Sequence, residues 1–146
     1  MLRLEIIAAG RLKNGPFAVL RDEYLKRMTW AVSITEIEGR STAEEQTKIL
    51  EKIRPGTIVI ALDEKGKVFN SRAFAAQLSN FSSQGETDIQ LIIGGADGLS
   101  DEIRDKARFL LAFGPQTWPH MMVRVMLLEQ LYRAQQIIAG HPYHRD

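Results

Sequence analysis

The chain of 146 residues contains no cysteine. Disulfide bonds, a thiolate nucleophile and a cysteine-ligated zinc site are therefore excluded. Long hydrophobic runs are also missing near the N-terminus, where Arg3 and Glu5 interrupt a short apolar stretch that is too short for a secretory leader or a membrane span. From these absences we expect a soluble protein in a reducing cytoplasm.

A strong excess of positive charge is lacking as well, because 19 lysines and arginines are balanced by 18 aspartates and glutamates. The net charge of +1 is far from that of a typical nucleic-acid binder, so any RNA site must be a local patch. The basic side chains of residues 1–30 form one candidate cluster: Arg3, Arg11, Lys13, Arg21, Lys26 and Arg27. A solvated helix face is the more common explanation for such a cluster.

Predicted strands and helices alternate along the chain. Alternating or continuous apolar residues predict strands at residues 2–6, 31–36, 57–62, 89–93 and 109–113. Helical spacing predicts helices near residues 17–28 and 74–81, a helix opened by a capping box at Ser41 and Glu44, and a short helix from Ser100. The pattern indicates an α/β fold with a largely parallel sheet, in one domain that spans residues 1–146.

Ligands of parallel sheets bind beyond the carboxyl ends of the strands, so the loops there are the candidate sites. The loop after the fourth strand reads IGGADG at residues 93–98, and its glycines would let backbone amides approach a ligand closely. A tight turn explains these glycines equally well. Asp63 and Glu64 after the third strand could form an acid and base pair, although a solvated turn is the more common explanation.

The C-terminal segment predicts a long helix followed by a polar tail. Pro119 suits the first helical position and Gly140 suits the C-cap of a helix of about 30 Å. Apolar residues of positions 122–138, Leu128 among them, cover more than one helix face, which favours a homodimer through this helix over a single deeply buried helix. A metal site at His120, His141 and His144 is a weaker alternative.

Four motifs together carry a family resemblance: LDE at residues 62–64, IGGADG at 93–98, TWPHMMVRV at 117–125, and LEQLYRA followed by HPYHR at 128–145. In order and spacing they closely resemble the RlmH family of ribosomal RNA large-subunit methyltransferases, within the SPOUT superfamily. The resemblance spans essentially the whole chain. It implies a SPOUT-type sheet with helices on both faces and a C-terminal trefoil knot, a rare exception to the rule against knotted chains.

The resemblance also implies an activity and its site. A homodimer would use S-adenosylmethionine to methylate N3 of a pseudouridine in 23S rRNA, within assembled ribosomes. The implied cofactor-binding residues are Leu62, Gly95, Gly114, Pro115, Gln116, Thr117, Trp118 and Pro119. No metal is implied.

Three residues of the tail are the implied catalytic groups. His144 could accept a proton, Tyr143 could stack on the base or hydrogen-bond to it, and Arg145 could stabilise the developing anion or hold a phosphate. Side chains of the last helix could orient the tail or touch RNA, although surface salt bridges are an equal alternative for them: Arg124, Glu129, Tyr132 and Arg133. The alternative function is a non-catalytic ribosome- or RNA-binding protein that retains a cofactor-like pocket.

Overall fold

Strands and helices alternate in the computed structural model, which describes residues 1–144 and the side chains of residues 1–143. The strands are β1 (Arg3–Ala9), β2 (Ala31–Ile37), β3 (Ile58–Val68), β4 (Asp88–Ile93) and β5 (Phe109–Ala112). The helices are α1 (Pro16–Arg27), α2 (Thr42–Lys52), α3 (Ser71–Ser83), α4 (Asp101–Lys106) and α5 (His120–Ala139), and a 3₁₀ turn follows at Pro142–His144. The predicted order of elements is confirmed.

One sheet joins the five strands in the order β2-β1-β4-β3-β5, and each neighbouring pair is parallel. Leu4 and Ile6 of β1 pack in a core shared with α1, α3 and α5, whereas Ile7 and Ala9 pack in a second core with α2 and α4. This alternation follows the two-residue period of a strand. The predicted α/β fold with helices on both faces is therefore confirmed. None of the helices in the described residues is long and apolar enough to cross a membrane.

Helix ends follow the predicted capping residues with one exception. The Ser41 hydroxyl accepts a hydrogen bond from the Glu44 amide at 3.1 Å, and Gly140 ends α5 in the left-handed conformation at φ 74°. Pro119 was predicted to be the first helical residue, but it is the N-cap, with an extended ψ of 133°. Its carbonyl already accepts the first intrahelical bond, from the Val123 amide at 3.0 Å, as an N-cap carbonyl does.

Strand β3 is longer than predicted and contains an excursion at residues 63–66. Leu62 and Lys67 both pair with Leu111 of β5, so the residues between them leave the ladder. A Cβ on Gly66 would lie 2.6 Å from the backbone of Leu110, which only glycine can approach so closely. The excursion holds Asp63 and Glu64 at the carboxyl edge of the sheet.

An ion pair between the buried Arg124 and the partly exposed Glu36 ties α5 to the ends of β1 and β2. Arg124 is only 1% exposed, and its Nη1 lies 2.7 Å from a carboxylate oxygen of Glu36. Its Nη2 donates to the carbonyls of Ala9 at 3.2 Å and Gly10 at 3.0 Å. The same Glu36 oxygen accepts the Leu12 amide at 2.7 Å. The prediction that Arg124 touches RNA or the tail is wrong, because its side chain is enclosed by these partners.

The pKa values of the pair follow from this environment. Burial lowers the pKa of Arg124, and its contact with Glu36 works in the opposite direction. Burial alone would raise the pKa of Glu36, but the Leu12 amide and Arg124 together hold this pKa below its usual value. The Glu36 carboxylate is therefore ionised at neutral pH, and it faces a guanidinium that proteins do not deprotonate.

We predict that Arg124→Met destabilises the protein by about 2 kcal/mol or more, because it leaves the carbonyls of Ala9 and Gly10 without this donor and the Glu36 carboxylate with only the Leu12 amide. Urea unfolding measures this loss. Arg27→Met is the matched control, since Arg27 pairs with Glu23 on an exposed face of α1 and its loss should destabilise the protein far less. Equal losses for the two variants would contradict the role assigned to Arg124.

Candidate functional site

A cleft of about 680 Å³ opens at the carboxyl ends of β3, β4 and β5. This volume is typical of small-molecule sites. Among the predicted cofactor-binding residues, the cleft brings together Leu62, Gly95 and residues 116–119. Gly114 and Pro115 lie outside its lining, in the turn that leaves β5, where Gly114 adopts a φ of 98°.

The glycine loop after β4 divides its glycines between two roles. A Cβ on Gly94 would lie 2.7 Å from the Gly98 carbonyl oxygen, so Gly94 permits the loop to close on itself. Gly95 lines the cleft, and a Cβ there would meet only the end of the Glu45 side chain, at 3.2 Å. Gly98 donates its amide to the Gly95 carbonyl at 3.0 Å. The tight turn is therefore confirmed at Gly94, whereas Gly95 lies where its backbone can face a ligand.

Helix α2 supports the glycine loop from behind. The Gln46 side chain is buried, donates to the Gly98 carbonyl at 3.0 Å and accepts the Ser100 amide at 2.9 Å. The Thr42 hydroxyl donates to the Asp97 carboxylate at 2.7 Å. Sequence reasoning missed these residues. The available indication was the capping residue Ser41, which places the first turn of α2 at this edge of the sheet.

Two side chains of the loop after β5 fix its conformation, one by a contact near the start of the loop and one by a contact to β3. Trp118 donates its indole N–H to the Phe113 carbonyl at 3.1 Å, and the Thr117 hydroxyl donates to the Glu64 carboxylate. The bond before Pro119 is trans. Because Glu64 belongs to the β3 excursion, this contact joins two of the segments that line the cleft.

The carboxylates of the β3 excursion are held by polar contacts. Asp63 is 5% exposed at its side chain and forms an ion pair with Arg104 at 2.7 Å, and it also accepts the Lys65 amide at 2.8 Å. Glu64 is bound by Thr117. These contacts favour a structural role for both carboxylates over the acid and base pair that the sequence left open. Arg104, which the sequence reasoning also missed, lines the cleft from α4.

The described part of the tail folds back onto α5. The Tyr143 ring packs edge-on against Tyr132 with 4.7 Å between centroids, and the Arg133 guanidinium lies 5.1 Å from the Tyr143 centroid. Burial, followed by the influence of Glu129 and a hydrogen bond with Tyr24, raises the pKa of Tyr143 to about 12. The phenol is thus neutral at physiological pH. The side chain of His144 and all of Arg145 lie outside the described residues.

The tail and the cleft of one chain lie at different positions along α5. Pro119 lines the cleft, whereas Tyr143 packs on Tyr132, and the helix rises about 20 Å between these two positions. The structure therefore does not bring Tyr143, the described member of the predicted catalytic residues, to the predicted cofactor residues of the same chain. His120 and His141 are likewise separated by the whole of α5, an arrangement that disfavours a metal bound by both in one chain.

A second cavity, which we call the helical groove, lies between α1, α3 and α5 and has a volume of about 860 Å³. Met122 and Met126 of α5 line it, and Leu111 and Phe113 line both the groove and the cleft. At its other side the groove is lined by Tyr24 and Glu129, the residues that influence Tyr143. Leu128, which the sequence offered for a partner-facing position, is fully buried in the core of its own chain.

Comparison with known proteins agrees with this architecture. A family model described as predicted SPOUT methyltransferase matches residues 2–144. Two solved structures share the fold at low identity. A methyltransferase of Legionella pneumophila, determined with SAM, has a TM-score of 0.51 and 13% identity over 92% of this chain and 66% of its own. The SpoU methyltransferase AviRb of Streptomyces viridochromogenes, determined with AdoMet, has a TM-score of 0.50 and 12% identity, over 92% of this chain and 58% of its own. The match of the family model over nearly the whole chain therefore identifies this protein as a SPOUT methyltransferase.

Full-length relatives narrow this class. Ribosomal RNA large subunit methyltransferase H of Rhodospirillum centenum is 50% identical over 99% of both chains, and the protein of the same name from Zymomonas mobilis is 43% identical over 99% of both. The chain belongs to the ribosomal RNA large subunit methyltransferase H family.

We predict that Gly94→Ala and Gly95→Ala differ in stability. The Gly94 variant places its Cβ against backbone atoms of Gly98, so thermal unfolding should show a loss of about 1–3 kcal/mol. The Gly95 variant meets only the movable end of Glu45 and should stay within about 0.5 kcal/mol of the parent protein. The reverse order of stabilities would show that the two glycines have been assigned the wrong roles.

Proposed function

We propose that this protein transfers a methyl group from S-adenosylmethionine to N3 of a pseudouridine in 23S rRNA, of the pseudouridine 1915 type, within assembled ribosomes. The observation that carries the proposal is the convergence of Leu62, Gly95 and residues 116–119 on one cleft. The names of the full-length relatives support the large-subunit rRNA as substrate. Action on ribosomes assigns the protein to the cytoplasm.

The cleft suits the cofactor in shape and chemistry. Its lining includes the backbone of the glycine loop, the side chain of Leu62 and the closed loop of residues 116–119. Backbone amides and carbonyls can read the edge of an adenine, and apolar side chains can pack on its faces. When bound, S-adenosylmethionine supplies a methyl group that its sulfonium has already activated for attack.

The catalytic tail must come from a second copy of the chain, because the tail and the cleft of one chain are about 20 Å apart along α5. The helical groove supports a homodimer. It reaches from Leu111 and Phe113, which also line the cleft, to Tyr24 and Glu129 beside Tyr143. In a two-fold dimer the same patch of each copy faces the other in reversed direction. A partner seated in the groove would then bring its tail toward the cleft.

Within such a composite site the residues divide the work of the reaction. The cleft and the tail together align N3 of the base with the activated methyl group. His144 accepts the N3 proton, and Arg145 stabilises the negative charge that develops on the base. Tyr143, neutral with a pKa of about 12, stacks on the base or donates a hydrogen bond to it and does not act as the proton acceptor.

The course of the chain supports the trefoil knot expected for this fold. Strand β5 lies at one edge of the sheet, yet α5 contacts the end of β1 through Arg124. The residues between β5 and α5 must therefore pass the carboxyl ends of β3 and β4. A crossing of this kind is a requirement for threading the C-terminal segment through a preceding loop.

The test of the function is transfer of labelled methyl groups from S-adenosylmethionine to ribosomes from cells that lack the modification. We predict stable label in 23S rRNA with the parent protein. The Gly95→Val variant should transfer no label, because its side chain keeps the cofactor from the backbone of the glycine loop. Calorimetry should show that its affinity for S-adenosylmethionine is at least about 30-fold weaker, or about 2 kcal/mol. Its fold should persist, since the atoms nearest to a Cβ at Gly95 belong to the movable end of Glu45 and not to the backbone. Cofactor binding by the parent protein without transfer to any ribosomal particle would favour the non-catalytic alternative.

Mixing two inactive variants tests whether the tail acts across a dimer. Gly95→Val chains keep the tail, and His144→Ala/Arg145→Ala chains keep the cleft. Unfolded and refolded together, they should regain about a quarter of the parental activity, because half of the random dimers are mixed and each of these has one complete site.

Two further variants control this experiment. Adding Met126→Glu to both chains places a charge in the helical groove and should abolish the regained activity. Adding Val19→Glu, an equal change at an exposed position of α1 outside the groove lining, should leave it intact. No regained activity in the first mixture would refute the composite site.

A further inference from the structure

The loop between β1 and α1, residues 10–15, borders the cleft. A Cβ on Gly10 would lie 3.0 Å from the Met121 side chain and 3.8 Å from Nε2 of His120, and His120 lines the cleft. The Gly10 amide donates to the Ile37 carbonyl at 2.7 Å. The loop is therefore packed against the start of α5 and the end of β2, immediately beside the cleft.

Two basic side chains project from this anchored loop. Leu12 is buried, and its amide is held by Glu36, the partner of the buried Arg124. Arg11 and Lys13 flank Leu12 and are both exposed. Within residues 1–143, neither of these two side chains forms a hydrogen bond or an ion pair. By contrast, the exposed Arg3 is paired with Asp88.

Strand order separates these cations from the cofactor residues. The cleft occupies the β4-β3-β5 half of the carboxyl edge, whereas the Arg11 and Lys13 loop follows β1, in the other half. Arg40, exposed after β2, adds a third cation to that half. Four carboxylates of this edge are engaged by partners within the chain: Glu36, Asp63, Glu64 and Asp97. Glu38 after β2 and Glu45 beside Gly95 are further acids of this edge, so the three cations exceed these two acids by one positive charge, which is left for an external anion.

We infer that Arg11 and Lys13, with Arg40 beside them, bind RNA phosphates next to the nucleotide that enters the cleft. The inference rests on the proposed function, which it extends to a substrate-binding surface. Point cations on a fixed backbone suit the regularly spaced phosphates of a nucleic acid, whose contacts position the strand without reading its sequence. A net charge of only +1 gives the whole molecule little general attraction to RNA, so local cations must provide it.

The test compares two double variants that lose the same charge. Arg11→Ala/Lys13→Ala removes the proposed contacts. Lys52→Ala/Lys106→Ala is the matched control, because these exposed lysines end α2 and α4 at the opposite, amino edge of the sheet. Binding to unmodified ribosomes is measured by filtration at salt concentrations from about 50 to 200 mM.

We predict that Arg11→Ala/Lys13→Ala weakens ribosome binding about 10-fold or more and lowers the magnitude of the salt slope by about 1.5. Affinity for S-adenosylmethionine, measured by calorimetry, should stay at the parental value, and the control variant should match the parent in both measurements. Equal ribosome binding by the two double variants would overturn the inference while the proposed function stands. A weakened cofactor affinity would overturn it too, because the loop would then act on the cleft. A parent protein that neither binds nor methylates ribosomes would refute the proposed function itself.

Discussion

A single buried guanidinium fixes the position of α5, on which the cleft and the helical groove depend. Arg124 is bound by Glu36 and by the carbonyls at the end of β1. The residues on either side of Arg124 line the two cavities: Val123 lines the cleft, and Val125 lines the helical groove. A buried charge without its partners is costly, so a helix shifted along its axis is strongly disfavoured. The same ion pair therefore sets the geometry of the cleft, the groove and the loop after β1.

Much of the fold follows from local pattern in the sequence. The alternation of Leu2, Leu4 and Ile6 and the capping residue Ser41 depend only on nearby residues and were predicted. The excursion in β3 could not be predicted, because it exists through the pairing of both Leu62 and Lys67 with Leu111, more than forty residues away. The role of Pro119 was misjudged for a related reason, since proline suits both the N-cap and the first helical turn.

The candidate site shows the same division between local and distant causes. Gly95 and residues 116–119 were predicted from motifs, and they do meet at one cleft. Gln46 was missed because a polar residue on an amphipathic helix gives no indication of a partner 54 positions away, at Ser100. Arg124 and Leu128 were misplaced because α5 is apolar around most of its circumference, so its sequence does not distinguish the core-facing side from the groove.

Leu111 and Phe113 belong to the walls of two cavities at once. A molecule that displaces either side chain on entering one cavity changes the shape of the other. Occupancy of the two cavities is then thermodynamically linked, and such linkage is reciprocal by necessity: the factor by which one occupant alters the affinity of the other is the same in both directions. These two hydrophobic residues take no part in any chemical step, yet they couple binding in the cleft to binding in the helical groove.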